Sequence, residues 1–176
     1  MGEAAVSNLS ILVYGNQTLR KRAKPVIVVT PALKRLADEM LESMYESNGI
    51  GLAAPQVGEL VRLIVVDVSA GEGKEKQPYV LFNPEILSAK GEAVAEEGCL
   101  SVPGVWADVT RPEIITLRAM DREGKTFELK GIDGVLARCI QHEIDHLEGV
   151  LFVDKISSTD RILNEAKLKK MARQSK

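Results

Sequence analysis

The chain's only two histidines lie four residues apart, in the segment QHEIDHLEG at 141–149. Residues four apart share one face of an α-helix, so His142 and His146 can bind the same metal ion. Glu143 lies about 100° away around the helix and can therefore act as a general base on a metal-activated water. The pattern H-E-x-x-H predicts a metal-dependent hydrolase. Its alternative is a pair of unrelated histidines on a helix surface.

A catalytic metal site usually has a third protein ligand, and the sequence offers more than one. Cys99 is favoured because it lies in EEGCLSVPG, 96–104, whose glycines and proline predict a loop that can bring a thiolate onto the helix. Glu165, 19 residues after His146, is the alternative, as in thermolysin-like zinc peptidases. Phe152 stands where a metzincin carries its third histidine, which excludes that class.

The second cysteine, Cys139, lies three residues before His142 on the same predicted helix. It is about 10 Å of helix rise from His146, too far for both to bind one ion through bonds of about 2–2.3 Å. We therefore expect Cys139 to be a small buried apolar residue near the site. A competing interpretation is a structural zinc site of Cys99, Cys139 and both histidines, which leaves Glu143 without a role.

Three helices are predicted to position these residues. The first begins after the capping residue Thr30 and ends before Gly49. The second begins after Asp133, carries the H-E-x-x-H motif beside a stripe of leucine and isoleucine, and ends before Gly149. The third covers 158–176 and has six basic residues against two acidic ones, so it is locally cationic.

Strands are predicted between the first two helices. The runs 60–68 and 79–83 are rich in β-branched residues and predict an antiparallel pair across a polar loop. The runs 114–119 and 126–130 flank a turn signal and predict a β-hairpin. The glycine-rich segment GIGLAAPQVG, 49–58, predicts an irregular loop. We therefore expect one α+β domain over residues 1–176, with antiparallel β-sheets around a central H-E-x-x-H helix and a C-terminal helix.

The composition excludes several classes of protein. The chain has 176 residues, 45% hydrophobic and 27% charged, which is typical of an ordinary globular domain. Its net charge of −2 predicts no DNA binding, and any RNA contact must use a local basic patch. The N-terminal segment lacks the basic residues of a signal peptide, and no apolar run is long enough for a membrane span. We therefore expect a cytoplasmic protein without a membrane partner.

Three segments, GIGLAAPQ at 49–56, EEGCLS at 96–101 and QHEIDHLEG at 141–149, resemble in order the three motifs of bacterial peptide deformylases. The resemblance extends from about Leu12 through the C-terminal helix. It implies a bacterial, cytoplasmic enzyme that removes the formyl group from the N-terminal formyl-methionine of nascent polypeptides and releases formate.

The resemblance also implies roles for individual residues. Cys99, His142 and His146 are implied as ligands of one divalent ion, with Glu143 as the catalytic acid-base. A site of one cysteine and two histidines accepts iron(II), zinc, cobalt or nickel. The resemblance implies iron(II), Fe(2+), as the natural ion, with zinc as a frequent replacement.

Further residues are implied to contact the substrate. The side chain of Gln56 and the backbone N–H of Leu100 resemble the family's oxyanion-binding pair. The implied methionine slot is lined by Ile50, Gly51, Glu97 and Cys139. Family members often have arginine where this chain has Trp106, so the contacts at the rim are expected to differ. The basic C-terminal helix is expected to dock on ribosomal RNA, which the resemblance also implies for such a tail.

Overall fold

The computed structural model describes residues 9–69 and 74–175. The start of the chain, part of the polar loop after the first predicted strand, and Lys176 therefore lie outside the described residues. The predictions made for those positions, including the absence of a signal peptide, stay predictions. No helix in the described part of the chain combines the length and the apolar character that crossing a membrane requires.

The described residues form two antiparallel sheets and three α-helices. The strands are β1 Gly51–Ala53, β2 Leu63–Val66, β3 Tyr79–Lys90, β4 Ala93–Cys99, β5 Val102–Arg111, β6 Ile114–Met120 and β7 Thr126–Ile132. The helices are α1 Pro31–Glu46, α2 Gly134–Leu147 and α3 Ser158–Gln174, with short 3-10 turns at Gln17–Arg20, Ala54–Val57 and Phe152–Asp154. Five strands pair in the order β1-β2-β3-β6-β7, and β4 pairs with β5 in a separate hairpin.

Strand β2 is apolar on both faces because both faces are covered. Ile64 and Val66 pack with Ile140 of α2 in one core cluster. Leu63 and Val65 face the other way and pack with the methionines of α1, including Met40. Helix α2 therefore lies with its apolar stripe buried against the sheet. The expected α+β fold, with antiparallel sheets around this helix, is confirmed.

The three predicted helices are confirmed, with small differences at their ends. The Thr30 hydroxyl accepts a hydrogen bond from the Leu33 N–H at 3.3 Å, so it caps α1 as expected. Asp133 occupies the capping position of α2, but its side chain makes no capping bond. Helix α3 ends at Gln174 and buries Leu168 and Met171 against the hairpin side of the molecule.

The strand predictions succeeded for the apolar runs 60–68 and 79–83 and for the weakly alternating run 114–119, which a turn signal follows. The antiparallel β2–β3 pair and the β6–β7 hairpin are both confirmed, although β3 runs on to Lys90. Two predicted loops were wrong. The segment 49–58 contains β1 and a 3-10 turn, and 96–104 consists of the ends of β4 and β5 joined by a tight turn. Strand β1 forms because it pairs with β2, with Gly51 opposite Val66, whereas 96–104 forms because β4 and β5 pair with each other across the turn. Neither pairing is revealed by local composition.

Candidate active site and metal centre

Three side chains converge at the buried face of α2. One ligand atom each from Cys99, His142 and His146 can be chosen so that all lie within 4.8 Å of one another. The Cys99 Sγ is 3.3 Å from the His146 Nε2. Ligand atoms about 2.0–2.3 Å from a shared tetrahedral ion lie roughly 3.3–3.8 Å apart, so small side-chain adjustments would complete such a site. Among the described residues, this is the one group of three or more histidine, cysteine or acidic side chains with that geometry.

The thiol reaches the helix because the β4–β5 hairpin ends beside it. Cys99 is the last residue of β4 and pairs with Val102 across the turn formed by Leu100 and Ser101. The histidines follow from helix geometry, since positions four apart lie one turn apart. A thiolate with two imidazoles is a borderline-soft donor set that suits iron(II), zinc, cobalt or nickel, so these residues fit a transition-metal ion.

The carboxyl group of Glu143 is buried beside these ligands. Its Oε2 has no hydrogen-bond partner among the described residues. Burial raises the pKa of Glu143 to about 7, although His142 and Arg111 pull it the other way. A divalent cation beside the carboxyl group would draw this pKa down. Without an ion, the pKa of Glu143 thus lies near neutrality, the range that suits a general acid-base.

Glu97 holds His142 from the side opposite the ligand cluster. Its Oε1 lies 2.8 Å from the His142 Nδ1, and because Glu97 is ionised, that nitrogen carries the proton and Nε2 is left for a metal. Arg111 donates to both Glu97 oxygens at 2.6 and 2.9 Å, and Arg138 donates at 2.6 Å. Burial alone would raise the pKa of Glu97, but hydrogen bonds from Arg111 and His142 lower it to about 2.

The two histidines differ in their electrostatic surroundings. Burial opposes charge on His142, but the hydrogen bonds to Cys99 and Glu97 outweigh it and raise its pKa to about 10. Burial and the neighbouring positive charges lower the pKa of His146 well below its ordinary value, so this ring is neutral. Metal ligands bind in their deprotonated form, so ion binding would displace a proton from the cluster.

Gln56 is held in one orientation beside Cys99. Its Oε1 accepts from the Ala53 N–H at 2.9 Å, which turns Nε2 towards the hairpin. Nε2 donates to the Ser101 Oγ at 3.1 Å and lies 3.6 Å from the Cys99 Sγ. The amide therefore presents a donor next to the ligand cluster. Leu100 lines the same cavity and packs against Gly49.

A cleft of about 810 Å³ opens beside the ligands, in the size range of small-molecule and peptide sites. The residues implied as a methionine slot, Ile50, Gly51, Glu97 and Cys139, all line it. A Cβ at Gly51 would lie 2.6 Å from the Cys139 Sγ and 2.7 Å from a Glu143 oxygen. The space between these two side chains therefore exists only because residue 51 is glycine.

Neither Glu165 nor Cys139 lies in the ligand cluster. Glu165 lies on the exposed side of α3 and pairs with Lys169 at 2.7 Å, away from the cluster. Cys139 is buried, and its thiol contacts the Ile50 carbonyl at 3.5 Å instead of joining the three ligands. Among the described residues, the structure therefore brings together neither the complete ligand set of the peptidase site nor that of the structural four-ligand site. Phe152 packs near the His142 ring, with 6.0 Å between ring centroids, as an apolar neighbour.

Sequence reasoning missed the residues that support the ligands. Arg111, Arg138, Asp145 and Ser101 were not singled out. Arg111 is 3% exposed and also bonds Asp145 at 2.8 Å. The alternation of β5 could have revealed Arg111, because every second residue from Val105 to Arg111 faces inward. An arginine at an inward position needs a buried acidic partner.

Comparisons with known proteins identify the family of the chain. A family model described as polypeptide deformylase matches residues 8–162. The peptide deformylase of Alkalilimnicola ehrlichii is 52% identical, covering 96% of this chain and 93% of that protein. The peptide deformylase of Hydrogenovibrio crunogenus is 50% identical, and the match covers 97% of this chain and 99% of that protein.

Solved structures agree as well. A peptide deformylase from Legionella pneumophila superposes with a TM-score of 0.85 at 46% identity, covering 94% of this chain and 96% of that one. A peptide deformylase from Synechococcus elongatus, in complex with actinonin, superposes with a TM-score of 0.83 at 42% identity. The match covers 98% of this chain and 90% of that one. The chain therefore belongs to the polypeptide deformylase family of metalloenzymes, whose known role is the deformylation of nascent peptides.

Proposed function

We propose that this enzyme removes the formyl group from N-formylmethionyl nascent peptides with Cys99, His142 and His146 as the ligands of one divalent ion. The observation that carries the proposal is the convergence of these three ligand atoms within 4.8 Å, beside the unpartnered carboxyl of Glu143. A bound ion would supply Lewis acidity and activate water at neutral pH. The proton transfers and the stabilisation of charge on the substrate are proposed to be carried out by side chains and backbone groups of the chain.

Glu143 is proposed as the general acid-base. It would take the proton of the attacking water and return it to the leaving amine, which frees the peptide and formate. Its raised pKa and its unpartnered Oε2 support this role.

Gln56 and the backbone N–H of Leu100 are proposed to stabilise the negative charge that develops on the formyl oxygen. The orientation of the Gln56 amide, with Oε1 on Ala53, supports its part because Nε2 is already turned towards the cluster. To bind the formyl oxygen, Nε2 would exchange its long 3.6 Å contact with the Cys99 Sγ.

Ile50, Gly51 and Cys139 are proposed to form the slot for the methionine side chain, and Gly51 supplies the space between its neighbours. We propose that Glu97 acts on the substrate indirectly, as a positioning residue for His142. Both of its oxygens are already engaged by His142 and two arginines, which leaves little capacity for a substrate contact.

Iron(II) is proposed as the natural ion, with zinc, nickel or cobalt as replacements that the donor set accepts. The test is anaerobic metal analysis together with formate release from formyl-Met-Ala-Ser. We expect about one ion per chain and formate release, with no cleavage of unblocked Met-Ala-Ser. Peptide-bond cleavage without formate release would overturn the proposal.

The exposed basic residues of α3 are proposed to bind ribosomal RNA near the site where nascent chains emerge, in the cytoplasm. Lys169, Lys170 and Arg173 are exposed on this helix. Removing the chain after Asn164 would also remove buried Leu168, so charge reversal is the cleaner test.

Lys170→Glu with Arg173→Glu should weaken salt-dependent cosedimentation with ribosomes and leave turnover of a free formyl tripeptide unchanged. Lys130→Glu, at an exposed position on the distant edge strand β7, is the matched control. Unchanged cosedimentation of the double variant at low salt would refute the docking proposal.

A further inference from the structure

Trp106 is a large apolar side chain exposed inside the cleft. It is the only tryptophan of the chain, its exposed fraction is 63%, and it lines the cavity that holds the ligand cluster. Exposed tryptophan is costly in water and is enriched where proteins contact partners. Of the other apolar side chains that line the cleft, Leu100 and Val105 are more buried, whereas Val135 is exposed but much smaller than an indole. Trp106 therefore offers a large apolar surface to whatever enters the cleft.

The position of the indole is set by the hairpin. Three ring atoms lie 2.5–2.7 Å from the point that a Cβ at Gly98 would occupy, so the ring rests directly on the Gly98 backbone. Gly98 precedes the ligand Cys99, and neighbouring Cα atoms are about 3.8 Å apart. The ring thus lies within a few residue lengths of the ligand cluster, and any side chain at 98 would displace it.

An extended peptide advances about 3.3–3.6 Å per residue. With the formyl group at the ligand cluster and the methionine in its slot, the next one or two residues reach the indole. The cleft's volume of about 810 Å³ is larger than one side chain needs, which leaves room for those residues.

We propose that Trp106 is a specificity-determining residue whose indole binds the side chain of the substrate residue one or two positions after the formyl-methionine. This inference rests on the proposed deformylase function. A large apolar side chain at that position removes apolar surface of the indole from water, whereas serine does not. The enzyme therefore favours leucine or phenylalanine there over serine.

The test compares formyl-Met-Ala-Ser, formyl-Met-Ala-Leu and formyl-Met-Ala-Phe, with formyl-Met-Leu-Ser to vary the nearer position. For the wild-type protein, kcat/KM should be about threefold to tenfold higher for the best leucine or phenylalanine peptide than for the serine peptide, mainly through KM. Trp106→Ala should reduce that ratio to about one, and Trp106→Phe should retain part of it. Val94→Ala is the matched control, because Val94 is equally exposed on the same hairpin but does not line the cleft.

Fluorescence gives a second readout that a merely structural tryptophan would not change. Because Trp106 is the sole tryptophan, its emission should shift when the Glu143→Gln protein binds formyl-Met-Ala-Leu without turnover, more than with the serine peptide. An unchanged leucine-to-serine ratio in Trp106→Ala, or an emission spectrum that does not respond at saturating peptide, would overturn the proposal. An equal loss of activity of Trp106→Ala on every peptide would also overturn the proposal, because the indole would then only cover Gly98 and would not distinguish the peptides. Absence of formate from all peptides would instead reject the proposed function itself.

Discussion

Replacing Glu97 by glutamine tests whether this buried carboxylate supports both the fold and the site. Glu97→Gln keeps the size of the side chain but removes the charge that binds Arg111, Arg138 and the proton on His142 Nδ1. Glu97 is 6% exposed, so its ion pairs are not screened by solvent. We expect a large loss of stability from this single change.

The magnitude follows from the pKa of Glu97. A folded-state pKa of about 2, against an ordinary value of 4.5, corresponds to about 3 kcal/mol of stabilisation at neutral pH. The cost of breaking a buried ion pair, about 3–5 kcal/mol, is similar. Because the folded pKa is depressed, this stabilisation is complete above about pH 4.5 and is lost as the pH falls from there towards 2.

The assay is urea unfolding of the metal-free protein at several pH values, wild type against Glu97→Gln. The difference should be about 3 kcal/mol at pH 7 and should vanish near pH 2. Glu96→Gln is the matched control, since Glu96 is the exposed neighbour and has no ion pair among the described residues. A loss below about 1 kcal/mol at pH 7, or one that is independent of pH, would refute the reasoning.

Three further predictions concern the reaction. Glu143→Gln should retain the metal ion, measured by metal analysis, while turnover of formyl-Met-Ala-Ser falls by about a hundred to ten thousand fold; retained turnover would contradict the acid-base role. Gln56→Leu should also retain the metal but lose about 3 kcal/mol of transition-state stabilisation, seen as a roughly hundredfold fall in kcat; a change in KM alone would make Gln56 a binding contact only. Cys99→Ser should lose metal on dialysis against a weak chelator, because a neutral hydroxyl replaces a thiolate. Cys139→Ser should keep the metal and lose about 1–3 kcal/mol of unfolding free energy. Metal loss in Cys139→Ser but not in Cys99→Ser would contradict the ligand assignment.

The parts of the site that share one helix were determined by the sequence alone. The spacing of His142, Glu143 and His146 becomes a shared face as soon as the segment is helical, and the apolar stripe beside it makes the helix certain to be buried. The same local logic predicted α1, α3 and the β6–β7 hairpin, because capping residues, turn residues and periodicity act within a few positions. Cys99 was favoured from its surroundings, although the segment expected to be a loop consists of the ends of β4 and β5.

The tertiary structure decided which distant residues complete the site. Cys99 lies 47 positions from His146 and Glu97 lies 45 from His142, so their contacts depend on how the β4–β5 hairpin packs on α2. The same packing leaves Glu165 in solvent and separates Cys139 from the ligands, two outcomes that spacing left open. It also supplies the buried partners of Glu97, since charges taken out of water must find counter-charges wherever the fold brings them. Sequence spacing determines neighbours within a helix turn, whereas burial and pairing across strands are properties of the whole folded chain.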